Sequence, residues 1–140
     1  MTAAQFAENC RQLAFVSSLV AGFAFTFYGV LLAAPSAHRF ASWAGFLAMA
    51  ASLMLLLVTL GDTFAAVLAA TLPTDAAIPS SLAGRKFAVD ICFLSAAVPL
   101  FASFGLGGWI RSRQLGIATT FAASLALICV FVVLKPYMHY

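Results

Sequence analysis

The stretch FASWAGFLAMAASLMLLLVTLGDTFAAVLAATL, residues 40–72, decides the fold class: it holds one acidic residue, Asp62, and no basic one. As a continuous helix it would run about 50 Å at 1.5 Å per residue, some 20 Å more than a hydrocarbon core of about 30 Å. A segment so long and apolar belongs in a bilayer, where it must tilt, bend or protrude. Asp62 marks where it is expected to leave the hydrocarbon, because about 20 residues separate it from Ser42, close to one crossing. Residues Thr63 to Leu72 are then expected in the interface or beyond.

The remainder of the chain has the same character. Of 140 residues, 64% are hydrophobic and 8% charged, against roughly 25% charged in an ordinary soluble domain. Further apolar stretches run over about 13–34, 87–110 and 115–134. The expectation is an all-α, integral membrane, four-transmembrane-helix bundle forming a single domain over residues 1–140, with the first helix retained. Pro35, Ser36, His38 and Arg39 close the first span in a tight turn. Pro73, Asp75, Pro79, Ser80, Ser81 and Gly84 form the one extended loop, and Arg111, Ser112, Arg113 and Gln114 a short turn. Lys135-Pro136 and the aromatic tail to Tyr140 suit an interface.

Four spans put both termini on one side, together with Arg11, Arg85, Lys86 and Lys135, while Arg39, Arg111 and Arg113 fall on the other. The slight positive-inside bias favours cytoplasmic termini in an inner or plasma membrane.

Charge and motifs narrow the chemistry. The net charge is +3, but the basic residues stand singly or in pairs, without the patch that follows a phosphate backbone, so nucleic-acid binding is not expected. Cys10, Cys92 and Cys129 are far apart and lack the spacing of a disulfide framework or a metal site; they read as small apolar residues. His38 and His139 fall on opposite sides, so one chain cannot use both on a haem or a metal. There is no Gly-x-Ser-x-Gly, no glycine-rich phosphate loop and no His-x-x-x-His. No enzyme, catalytic residue, metal or cofactor is expected.

Polar and small residues inside the apolar stretches are the remaining candidates. In the first span Ala14, Ser18, Gly22, Thr26, Gly29 and Ala33 form a small-residue stripe, beside a bulky one of Phe15, Leu19, Phe23, Phe27 and Val30. The small stripe suits close helix packing, or a narrow apolar path at a symmetry axis that gates by dewetting.

Asp62 and Asp90 are the acids expected at membrane depth, where an unpaired charge costs roughly 2.5–3.5 kcal/mol. Span two runs toward the long loop and span three away from it, so they should lie at similar depth, with Arg85 and Lys86 on the same side. Lys86 stands four residues before Asp90, the spacing of a helix-surface pair. Asp90 is placed in the first turns of its helix, where the macrodipole favours it. The site reads as interfacial carboxylates neutralised locally, as a coupled acidic site for a cation or proton, or as a latch between spans two and three. Pro99 removes a donor to the Ser95 carbonyl and is a candidate hinge ahead of Gly105, Gly107 and Gly108.

The run Ala21-Gly22-Phe23-Ala24 resembles the Ser-Gly-Phe-Ala core of the first helix in Orai calcium-release-activated channels. Leu72-Pro73-Thr74-Asp75-Ala76 looks like that family's Leu-Pro and acidic residue after a long second helix. The resemblance covers most of the chain in layout and about ten residues in motif. It implies a homo-oligomeric ring whose pore is lined by Phe15, Leu19, Gly22, Thr26 and Val30. Where the family places its filter glutamate, eight residues after the glycine, this chain has Val30, and Phe15 stands at the basic inner position. No calcium-selective acidic ring is therefore implied.

Three functions remain in view. The first is a homo-oligomeric, ion-channel-like protein with an apolar path along its first helix. The second is a non-conducting accessory or scaffold subunit among other membrane subunits. The third is a small cation- or proton-coupled transporter using Asp62. All three have the lipid bilayer as a partner.

Overall fold

A computed structural model describes residues 2–33 and 39–134, and it is all-helical there. Four helices follow in chain order: α1 (Ala3–Ala33), α2 (Arg39–Ala70), α3 (Ser80–Arg111) and α4 (Arg113–Leu134). All four contain a segment long and apolar enough to cross a membrane. The expected Pro35-to-His38 turn and the Lys135-to-Tyr140 tail, with His38 and His139, lie outside the described residues.

Two helices begin earlier than expected, and local chemistry accounts for both. The α1 helix starts at Ala3, ten residues before the apolar stretch. Thr2 and Gln5 form a reciprocal cap, in which the Gln5 amide donates to Thr2 Oγ1 at 3.4 Å and the Thr2 amide to Gln5 Oε1 at 3.2 Å. The Ala3 amide also donates to the Ala76 carbonyl, which pins this end to the α2–α3 loop. The α3 helix starts at Ser80, seven residues early, with the Pro79 carbonyl accepting from Leu82 and Ala83. Much of the expected loop is therefore helical, and Asp90 lies three turns inside α3, where the macrodipole contributes little. Between α3 and α4 only Ser112 leaves the helix, and its Oγ accepts from the Leu115 amide as an N-cap.

The chain divides into two compact units. The first comprises residues 1–23 and 52–96. Its core sets Phe6, Ala7 and Cys10 of α1 against Ala65, Ala66 and Ala69 of α2 and Leu82 of α3. Further along, Ala21, Leu55 and Ala96 meet, and Ser52 Oγ donates to the Ala21 carbonyl at 3.1 Å. Residues 63–70, expected in the interface or beyond, are thus a packed continuation of α2. The extended start of α1 supplies their cover.

The described residues of 24–51 and 97–134 form the second unit. Phe27 stacks in a tilted geometry on Phe104 with ring centroids 5.0 Å apart, and Trp109 Nε1 donates to Thr120 Oγ1 at 3.0 Å. The Trp109 indole lies over Gly116, and Thr119 Oγ1 donates to the Gly105 carbonyl at 3.1 Å. Pro99 lies within α3 without ending the helix.

Glycine substitutions separate close packing from open surface. A Cβ at Gly108 would meet the Thr119 hydroxyl and lie 2.8 Å from the Leu115 carbonyl oxygen, a backbone atom, whereas one at Gly22 meets nothing within 4 Å. Gly108→Ala is expected to destabilise by about 1–3 kcal/mol. Gly22→Ala should be neutral or stabilise by up to about 1 kcal/mol. Thermal unfolding of both variants in detergent checks the contrast.

Candidate functional site

The site assembles around a buried acid. One face of α1, formed by Phe6, Ala7, Cys10, Ala14, Ser17 and Ala21, is buried at helical spacing. The Ala14-to-Ala33 stripe read from the sequence lies largely one position away from it. Of its members in the first unit, Ala14 is buried while Ser18 and Gly22 are exposed. The small side chains that pack let α2 approach closely, and Gly61 of α2 similarly accepts Val89 of α3, since a Cβ there would lie 2.8 Å from Val89 Cγ2.

Enclosed by these contacts is Asp62, fully buried at 0% exposure. Lys86 Nζ lies 3.4 Å from its Oδ1. The same ammonium donates to Asp90 Oδ1 one turn along α3. One cation thus bridges two carboxylates on two helices, and Asp90, unlike Asp62, is about half exposed. Neither oxygen of Asp62 accepts a hydrogen bond from a described residue, so charge attraction to Lys86 is its main compensation. Cys10, also fully buried, is within electrostatic reach of all three groups.

The structure therefore brings Asp62, Lys86 and Asp90 together. Arg85, their sequence neighbour, is exposed and takes no part in an ion pair among the described residues. Thr59 and Thr63, which flank Asp62 in sequence, do not serve it. Their hydroxyls donate to the Leu55 and Thr59 carbonyls of their own helix at 2.9 and 2.7 Å. Cys10 is the member that sequence reading missed. Its signal is its place on the run Ala3, Ala7, Cys10, Ala14, Ser17, Ala21, a packing face that begins before the apolar stretch.

Phe15, Leu19, Gly22, Thr26 and Val30 are each exposed on α1. No group of three His, Cys, Asp or Glu side chains among the described residues stands in metal-holding geometry.

With both acids ionised and Lys86 protonated, the cluster carries one net negative charge. Such a site can take up a proton or a small monovalent cation without leaving a charge uncompensated. It can also lock α2 to α3. Removing one partner of a buried pair strands the other, at a cost of about 3–5 kcal/mol, whereas removing both is often neutral. Lys86→Met is accordingly expected to destabilise by about that amount, and adding Asp62→Asn to recover most of it. A double-mutant cycle on thermal or denaturant unfolding in detergent measures this coupling. No family model, curated protein or solved structure matches this chain.

Proposed function

We propose that this chain is an integral membrane protein whose Asp62–Lys86–Asp90 cluster takes up and releases a proton or a small monovalent cation. Membrane insertion is supported by four helices of spanning length and apolarity and by the large side chains they leave exposed, among them Phe15 at 68% and Phe121 at 72%. The slight bias of basic residues supports cytoplasmic termini. The observation that carries the functional reading is that one lysine is shared between a buried and a half-exposed carboxylate.

Enclosure gives that observation its force. An ionisable group buried within a membrane-spanning helix is costly, and by default it marks an ion or proton pathway. Asp90 is the half-exposed member of the cluster and Asp62 the enclosed one. Lys86 acts as a tethered cation that an incoming charge displaces from one carboxylate toward the other.

A second reading is a homo-oligomeric, channel-like assembly lined by α1. It is favoured by the exposure of all five stripe residues, Phe15 to Val30, and the resemblance to Orai channels goes with it. Native mass measurement with single-particle class averages decides it. A closed ring with α1 innermost supports the reading, while a monomer, or a complex with a stoichiometric foreign subunit, overturns it.

For the first reading, the purified chain in liposomes is expected to take up protons, sodium or potassium down an imposed gradient. Asp62→Asn should lower that uptake at least about ten-fold while the protein stays folded. Uptake by Asp62→Asn equal to that of the unaltered chain, or none above protein-free liposomes for the folded chain, would overturn it.

A further inference from the structure

A groove of about 480 Å³ runs between α1 and α2 on the first unit. Ala14 of α1 and Ala66, Val67 and Ala70 of α2 give it apolar walls, Thr71 closes its end, and Arg11 is its one charged residue. The hydroxyl of Thr71 is engaged by the Leu68 carbonyl at 2.7 Å. Arg11 is exposed and has no carboxylate partner among the described residues. The acid one turn before it, Glu8, accepts from Gln12 Nε2 at 3.1 Å.

We infer that this groove binds an anionic phospholipid, its phosphate on the Arg11 guanidinium and an acyl chain along Ala66, Val67 and Ala70. The inference rests on the membrane-insertion reading above and is independent of cation uptake. Three features converge on that occupant. From Thr63 to Thr71 the α2 wall spans about 12 Å, long enough for a substantial part of an acyl chain. Beyond Thr71 the chain turns into Leu72-Pro73-Thr74-Asp75, so that end of the groove meets the headgroup layer. Helical side chains lean toward the N-terminus, and a long arginine extends its head to the interface while its stem stays on apolar surface. On α1 the N-terminus lies toward the same end as the α2–α3 loop, which the Ala3–Ala76 hydrogen bond holds. The guanidinium is therefore carried to phosphate level, where its planar donors suit a two-point contact.

The full chain reconstituted in vesicles of equal parts phosphatidylglycerol and phosphatidylcholine, then transferred to detergent for native mass spectrometry, tests this. The expected result is one retained phosphatidylglycerol per chain, favoured over phosphatidylcholine by about ten-fold, because the choline cation of the latter offsets the phosphate charge that Arg11 attracts. Arg11→Gln should bring that ratio close to one. Ala70→Trp, a substitution at an exposed wall position, should expel the lipid while helicity and vesicle flotation are kept.

Equal retention of both lipids by the unaltered chain, or an unchanged ratio in Arg11→Gln, overturns the proposal. Flotation without any retained lipid overturns it alone. Failure of the chain to float with vesicles overturns the membrane reading, and this proposal with it.

Discussion

Close approach of helices is the constraint on which the first unit depends, and small side chains on one face of α1 make it possible. Ala7, Cys10, Ala14, Ser17 and Ala21 present little more than backbone to their neighbours. In a lipid environment tails are as apolar as leucine, so contact area and interhelical hydrogen bonds hold helices together, and both require short distances. The Ser52 hydroxyl reaching the Ala21 carbonyl and Val89 seated over Gly61 are products of that approach. A bulkier residue at Ala7, Cys10, Ala14, Ser17 or Ala21 would separate α1 from α2 and open the space around Asp62.

The charged cluster follows from the same geometry. A buried carboxylate is tolerated only with a counter-charge nearby, and Gly61, the residue before it, lets α3 come close enough for Lys86 to supply one. The lysine is not devoted to Asp62, because Asp90 lies one turn further along its own helix and shares the ammonium. An exclusive pair would be a static strut. A cation held between an enclosed carboxylate and a half-exposed one has two places to rest, and this distinguishes a site able to respond to a third charge.

Asp62 was legible in the sequence as an acid in an apolar run, and Lys86 and Asp90 as a pair at helical spacing. The meeting of α2 and α3 near these residues also followed, from the direction in which each runs relative to the long loop. The burial of Asp62 was not legible. It depends on the first turns of α1, which hydropathy leaves out of the span because Gln5, Glu8, Asn9, Arg11 and Gln12 dilute it. The Thr2–Gln5 cap and the Ala3, Phe6, Ala7, Cys10 spacing were the available signals. The packing stripe was misjudged by one position for a related reason: Ser17 and Ser18 are both small, and composition alone does not say which faces inward.

By itself the sequence determined the class of the protein: four long apolar helices with polar breaks between them, because hydropathy and length are properties of each segment alone. It also determined the i, i+4 pairing of Lys86 with Asp90, since that spacing is internal to one helix. Only the tertiary structure decided that Asp62 is enclosed and shares its lysine, that Cys10 faces the cluster, and that Arg11 stands over an apolar groove. Each of these depends on which faces of two or three helices meet, and at what register. Side chains far apart in sequence set that register through the gaps they leave.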